Sequence, residues 1–172
     1  MGEAAHLARR FFGSLLPVGP RTADSAWAEE QLQPAERALW QRLTRVDRRH
    51  AVGVARRVEQ NLRDEASRSV LAAALLHDIG KVAAGLDTFG RVAATLSIKA
   101  AGFRRASAWS GGRRFTRRVG LYAQHPGIGA DLLERAGSDP LIVAWTREHH
   151  LPPERWTVPL RIGEVLKSAD DD

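Results

Sequence analysis

Apolar positions recur with the period of an amphipathic helix along most of this chain. Ala, Leu, Arg and Glu, which favour helices, are abundant, and runs of β-branched residues are scarce. Two clear apolar faces are Val52, Ala55, Val58, Leu62 and Phe89, Val92, Leu96, Ala100, Phe103. The pattern predicts helices near 3–16, 24–32, 34–44, 47–62, 65–78, 89–108, 114–123, 126–136, 139–150 and 158–169.

Prolines, glycines and capping residues separate these periodic segments. Asp64 is positioned to cap the helix over 65–78, and Gly80 is positioned to end it. Gly111-Gly112 breaks the chain after the segment at 89–108. Because the connections are short, the sequence predicts an all-α fold, a compact helical bundle.

The composition is that of a globular protein with one core. The chain has 172 residues, of which 44% are hydrophobic. It contains no window of about 18 uninterrupted apolar residues, so no transmembrane helix is expected. The apolar run near the start is too short and interrupted for a signal peptide. The absence of cysteine excludes disulfides and thiolate zinc sites, and we expect a cytoplasmic protein.

The positive charge is concentrated in one segment, residues 99–118. This basic segment contains seven cations and no acid, so the remainder of the chain is −1 against +6 for the whole. Such a segment is either a solvated loop or a contact for an anionic partner, such as a phosphate, nucleic acid or lipid headgroups. Its cations are Lys99, Arg104, Arg105, Arg113, Arg114, Arg117 and Arg118.

Histidines lie at or near the edges of the predicted helices. The stretch "LAAALLHDIGK" ends an apolar helix in adjacent His77 and Asp78. Four more such histidines are His50, His125, His149 and His150, and Asp170 stands near the end of the sequence. Imidazole and carboxylate together suit divalent Mn, Fe, Zn, Ni or Co. The number of candidate ligands is sufficient for two metals that share a carboxylate and an activated water.

The same residues, in the same order, resemble the HD superfamily of metal-dependent phosphohydrolases. His50, the pair His77-Asp78 and Asp170 match its H…HD…D signature, and "LLHDIGK" closely matches its central motif. "HPGIGADLL" and "REHH" resemble segments of members with two metals. The resemblance covers about residues 45–172, which leaves 1–44 as an N-terminal helical segment packed on or flanking the core. It implies a bundle whose helix ends converge on the metals.

Carried over to this sequence, the resemblance implies specific roles. His50, His77, Asp78 and Asp170 would hold one metal. His125 with one or both of His149 and His150 would hold a second metal, and Asp78 would bridge the two. Asp78 and Lys81 are therefore the candidate catalytic residues, and Lys81 would contact the substrate phosphate. Apart from the resemblance, the basic segment closely precedes His125 and is expected to line the mouth of the site. There Arg113, Arg114, Arg117 and Arg118 would bind further phosphates of the substrate.

Two features of the sequence bear on the substrate and on the last ligand that the resemblance implies. "LPPERWTVP" follows the histidine pair where HD-GYP proteins carry Gly-Tyr-Pro, so cyclic-di-GMP hydrolysis is poorly supported. Asp170 is followed by Asp171 and Asp172, either of which could be the closing ligand instead. Asp170 fits best, because it directly follows the apolar and small residues of "VLKSA".

The expected activity is hydrolysis of a phosphate ester, most readily of a nucleotide or dinucleotide, by a hydroxide that bridges the metals. Whether the substrate is a monoester or a diester stays open. The first alternative is a non-catalytic regulatory HD domain that binds metal or nucleotide. The second is membrane or nucleic-acid association through 89–118. For Phe89, Leu96 and Phe103 we expect core packing instead.

Overall fold

The computed structural model describes residues 19–171, which contain ten α-helices and four short 3-10 segments joined by turns. The described part contains no strand, and the predicted all-α bundle is confirmed. The predicted helix at 3–16 and the residue Asp172 lie outside the described residues. The helices are α1 (Thr22–Glu30), α2 (Pro34–Trp40), α3 (Arg45–Leu62), α4 (Arg68–Leu76), α5 (Thr88–Ala101), α6 (Phe103–Ala108), α7 (Arg114–Ala123), α8 (His125–Arg135), α9 (Pro140–Glu148) and α10 (Leu160–Asp171).

Helix α4 is the centre of the main apolar core. It packs against α3 and α9, and every residue from Val70 to Leu76 is buried. A helix that is apolar all round is expected only where neighbours surround it. The side chain of Ser67 caps α4 by accepting a hydrogen bond from the Val70 N–H, at 3.4 Å. The predicted cap at Asp64 is therefore wrong, because a 3-10 turn at Arg63–Glu65 precedes α4.

Helices α3 and α10 pack against each other and bring together two candidate ligands, His50 on α3 and Asp170 on α10. Thr44 caps α3 by accepting from the Asp47 N–H, and α3 then continues for 18 residues. Its Arg57 guanidinium donates to the Ala169 carbonyl of α10, at 2.9 and 2.7 Å. Because the last carbonyls of a helix lack partners within the helix, this contact fixes the end of α10, next to Asp170.

A second, smaller apolar cluster joins α5 and α7 to the segment before α5 and to Trp109, which follows α6. Its buried members are Ala84, Leu86, Ala94 and Val119. The helix predicted over 89–108 is interrupted here, since Gly102 separates α5 from α6 with a φ of 80°. A positive φ is open to glycine at little cost, and it ends the regular helix.

Helix α5 does not bury the apolar face that the sequence pattern indicated. Phe89, Leu96 and Phe103 are 72%, 61% and 60% exposed. The expectation that these three side chains pack in the core is therefore wrong. The helix instead turns its small face inward, with Ala94 fully buried and Ile98 packed on the second cluster.

Residues before α3 share the main core. Ala28, Leu32 and Trp40 are buried in it, and the Arg56 guanidinium lies 3.5 Å from the centre of the Trp27 ring. The proposed boundary between 1–44 and 45–172 stays a prediction. Among the described helices, none combines the length and the hydropathy that crossing a bilayer requires.

Candidate metal centre

Three histidines follow the ends of three helices and are oriented in the same way. His77 follows α4, His125 follows α7, and His149 follows α9. In each, Nδ1 donates to the carbonyl three residues earlier, those of Ala74, Tyr122 and Thr146, at 2.8, 2.8 and 2.9 Å. These carbonyls belong to last helical turns, where partners within the helix run out. In the neutral ring with its hydrogen on Nδ1, Nε2 has a free lone pair, as a metal ligand requires.

Asp78 lies between these three rings. Its Oδ2 is 3.4 Å from Nε2 of His77. Its Oδ1 is 3.2 Å from Nε2 of His125 and 3.8 Å from Nε2 of His149. One carboxylate therefore presents its two oxygens to histidines from different helices, which is the arrangement needed to bridge two cations.

His50 and Asp170 complete the side of the cluster nearest His77. Nε2 of His50 is 3.0 Å from Oδ1 of Asp170, and the same oxygen is 3.6 Å from Nε2 of His77. His50 lies in the second turn of α3, and Asp170 lies at the end of α10. The contact joins residues 120 positions apart in the sequence.

The candidate ligand atoms form two groups, within each of which all atoms lie within 4.8 Å of one another. The first consists of His50, His77 and Asp78, and the second of His125, His149 and His150. The rings of the second group lie close together. The ring centres of His149 and His150 are 4.1 Å apart, and those of His125 and His150 are 5.2 Å apart. All seven ligands expected from the sequence thus lie in or beside one cluster. Which of them bind metal stays a prediction.

The electrostatics of the first group favour a positive charge between its members. Burial alone would lower the pKa of His77, but the negative charges of Asp78 and Asp170 raise it to about 10. Burial would raise the pKa of Asp78, but Lys81 and His77 hold it well below its usual range. Burial likewise opposes ionisation of Asp170, but His50 and His77 keep its pKa low. Both carboxyl groups are therefore ionised.

The second group favours neutral imidazoles. Burial and the neighbouring His77 and His150 hold the pKa of His149 well below its ordinary value. Removal of the ring from water and the neighbouring His125 lower the pKa of His150 to about 4, although part of this residue is exposed. Neutral imidazole is the form that coordinates a metal.

The residues fit divalent metal ions. The Nε2 atoms of His77, His125 and His149 are buried and make no hydrogen bond. Orphaned buried nitrogens are costly unless a ligand satisfies them. They converge on an ionised carboxylate whose charge favours a cation at this point. A mixed set of imidazole nitrogens and carboxylate oxygens suits Mn, Fe, Zn, Ni or Co.

Gly80 allows the turn that carries Asp78 to lie directly on α8. A Cβ at this position would be 1.9 Å from the His125 carbonyl oxygen and 2.7 Å from the Gly129 nitrogen. The expectation that Gly80 ends the helix is wrong, since α4 ends at Leu76 and Gly80 lies inside the 3-10 turn Ile79–Ala83. Its role is close packing between the two halves of the cluster.

Gly80→Ala is accordingly expected to lower the free energy of unfolding by about 3 kcal/mol, because backbone atoms would have to shift. It should also weaken metal binding. Chemical denaturation and elemental analysis measure the two effects. Gly127→Ala is the matched control on α8, since its Cβ would meet nothing within 4 Å and alanine favours a helix. Equal stability of the two variants would contradict this role for Gly80.

Beside Lys81 the structure has a pocket that the sequence pattern did not reveal. Its volume is about 250 Å³, and it is lined by Arg42, Thr44, Asp47, Lys81, Val82, Gly85, Leu86, Asp87 and Arg91. The Arg91 guanidinium makes two hydrogen bonds to the Asp47 carboxylate, one of them 2.8 Å long. Burial would raise the pKa of Asp47, but Arg91 keeps it below its ordinary value. No spacing rule links residues 44 apart in the sequence, so this pair was missed.

Lys81 connects the pocket to the cluster. Its Nζ contacts Oδ2 of Asp78, and its backbone N–H donates to the Asp78 carbonyl at 3.0 Å. Burial would lower the pKa of Lys81, but the charge of Asp78 raises it above its ordinary value, so the ammonium stays protonated. Nζ also lies 5.9 Å from the centre of the Tyr122 ring.

The four arginines expected at the mouth of the site lie on or next to α7 and are exposed. None of them lines the pocket beside Lys81. Arg118 is held near by, since its Nε donates at 2.9 Å to the carbonyl of Ala84, the residue before the lining residue Gly85. Substrate contacts of Arg113, Arg114, Arg117 and Arg118 stay a prediction.

Comparison with known proteins supports the resemblance read from the motifs. The sequence model of one protein family, the HD domain, matches residues 48–171. This span contains every candidate metal ligand, from His50 to Asp170. No curated protein and no solved structure matches the chain at a significant level.

Proposed function

Because this chain belongs to the HD domain family of metal-dependent phosphohydrolases, we propose that it hydrolyses a phosphate ester of a nucleotide or dinucleotide. The observation that carries the proposal is the position of Asp78. Its two oxygens face histidines at the ends of three helices. The Lys81 ammonium contacts one of these oxygens, Oδ2. Metals held by this cluster would supply an activated water and neutralise charge on the phosphoryl oxygens.

The residues around the cluster would hold the substrate in place. Lys81, protonated and fixed to Asp78, would contact the phosphoryl group under attack. The pocket beyond Lys81 would take the part of the substrate that does not react. Its volume of about 250 Å³ suits part of a nucleotide rather than a lone phosphate.

The intact set of ligand types favours catalysis over a purely regulatory role. A degenerate domain would have lost one or more of the buried polar residues, since they are costly to keep in a core without a function. Here His77, Asp78, His125 and His149 are all buried and converge.

The test has two parts. Protein purified without chelator is analysed for bound metals, and it is then assayed against nucleotides, dinucleotides and small phosphomonoesters with added Mn²⁺. We expect about two metals per chain and release of phosphate or nucleotide that stops when a chelator is present. Binding of metal and nucleotide without turnover would identify a regulatory domain instead. Absence of metal under all loading conditions would contradict both.

Arg42 gives a second prediction, since it is the pocket's exposed cation and makes no ion pair with any described residue. A contact with the non-reacting part of the substrate is similar in the ground and transition states. Arg42→Gln is therefore expected to raise KM by roughly tenfold and to leave kcat nearly unchanged. Steady-state kinetics measures this, with Arg155→Gln as a control for charge. A fall in kcat at constant KM would rule out this role.

A further inference from the structure

An apolar stripe on α5 faces solvent. Phe89, Val92, Leu96 and Ala100 follow one another at helical spacing over three turns. Phe89 and Leu96 are more than 60% exposed, and Phe103, which opens α6, is equally exposed. Single exposed apolar residues are common, but a continuous stripe is a mark of an interaction surface.

The opposite side of α5 holds the helix in place without the stripe. Ala94 is fully buried, and Ile98 packs on the second apolar cluster. Arg91 anchors the same helix through the Asp47 carboxylate and the Leu86 carbonyl. The exposed members of the stripe, Phe89, Leu96 and Ala100, are therefore not needed to hold α5 on the fold, whereas Val92 is half-buried.

The sequence that carries the stripe is strongly basic, although Asp87 caps the start of α5. No Asp or Glu occurs from residue 88 to residue 130. Within the described part of the chain, six exposed cations of this region make no ion pair: Lys99, Arg104, Arg105, Arg113, Arg114 and Arg117. Lys99 lies on α5 itself, and the others lie on α6 or at the start of α7, the two helices that pack against α5. Cations without counterions on the same side as exposed apolar side chains would suit a surface that is anionic outside and apolar beneath.

We propose that the α5 stripe, with Phe103 and these six cations, docks on an anionic phospholipid bilayer. The stripe would enter the boundary between headgroups and acyl chains, and the cations would contact the headgroup phosphates. Leu96 and Ala100 argue against nucleic acid as the partner of this face. An aliphatic side chain neither binds a phosphate nor offers an aromatic ring on which a base can stack. The charge of this face also argues against a homodimer, because two copies that met through it would bring their twelve cations together.

The test uses the full-length chain and sedimentation with two kinds of vesicle. One is phosphatidylcholine alone, and the other contains about a third phosphatidylserine. Wild-type protein should bind the anionic vesicles at least tenfold more strongly, and the difference should shrink as salt is raised. Equal binding to both kinds, or binding to neither, would overturn the proposal.

Two pairs of variants separate the apolar and the charged contributions. Phe89→Ser with Leu96→Ser should weaken binding to anionic vesicles by at least tenfold. Leu160→Ser is the matched control, because Leu160 is 56% exposed on a distant helix, α10. Arg104→Gln with Arg105→Gln should weaken binding by roughly fivefold for each cation removed. Arg135→Gln with Arg155→Gln removes the same charge elsewhere and should have a much smaller effect.

Measurements on the same variants would expose a different occupant. Oligonucleotide binding that is tighter than vesicle binding and insensitive to the serine changes would identify nucleic acid and refute membrane docking. A dimer in solution that dissociates on Leu96→Ser would identify a second copy and refute it as well. Because all the changed side chains are exposed, the variants are expected to fold like the wild-type protein. Circular dichroism measures whether they do.

Discussion

The Asp78→Asn variant is expected to lose bound metal and to hydrolyse phosphate esters at least about 1000-fold more slowly than wild-type protein, equivalent to about 4 kcal/mol of activation free energy. Asp78 is the residue whose oxygens face both groups of candidate ligands, at 3.4 Å from His77 and 3.2 Å from His125. An amide keeps the shape of the side chain but carries no charge and only one acceptor oxygen. It therefore cannot bridge two cations.

Asp47→Asn is the matched control for that variant. Both carboxylates are buried and ion-paired, Asp78 with Lys81 and Asp47 with Arg91. Removing either charge leaves a cation without its partner, so both variants should lose similar stability, on the order of 3 kcal/mol. Only Asp78→Asn should lose metal. Elemental analysis that finds the same metal content in both variants would show that Asp78 has been assigned wrongly.

The composition of the candidate site could be predicted from the sequence, because its chemistry is unusual for a protein core. Histidines and carboxylates at helix edges are conspicuous in a pattern of apolar positions, as at His77 and Asp78. The structure brings them close to residues that are distant in the sequence, since Nε2 of His77 is 3.6 Å from Oδ1 of Asp170. Their order matched a known family, and the match over 48–171 confirms that family.

The orientation of the rings could not be predicted from the sequence. Each Nε2 points into the cluster because Nδ1 donates to a carbonyl at a helix end, such as that of Ala74. Helix ends are the least certain feature of a sequence pattern, since tertiary contacts decide them within a residue or two. Gly80 illustrates the same point, because its close contact with the His125 carbonyl depends on how two helices pack.

The exposed face of α5 shows where periodicity is insufficient. A helical pattern reveals that Phe89 and Leu96 share a face, but it does not say what covers that face. The assumption that large apolar residues point inward fails here, because small Ala94 permits closer packing on the other side. Only the tertiary structure distinguishes the two faces.

Lys81→Ala is expected to lower kcat by at least tenfold while the metal content stays the same. Lys81 lies between the cluster and the pocket, with Nζ in contact with Asp78. A positive charge at this place would act on phosphoryl oxygens whose negative charge grows in the transition state, so its loss should raise the barrier by about 1.4 kcal/mol or more. KM should change less, because the contact is weaker in the ground state.

Steady-state kinetics and elemental analysis on one preparation distinguish this role from a structural one. Lys167→Ala is the control, since Lys167 is ion-paired with Asp171 on the outside of α10. Lys81→Arg should recover only part of the rate, because a planar guanidinium keeps the charge but not the shape of the ammonium. If Lys81→Ala instead loses metal, the lysine acts by holding Asp78 in position. If kcat is unchanged with metal retained, Lys81 does not contact the reacting phosphate.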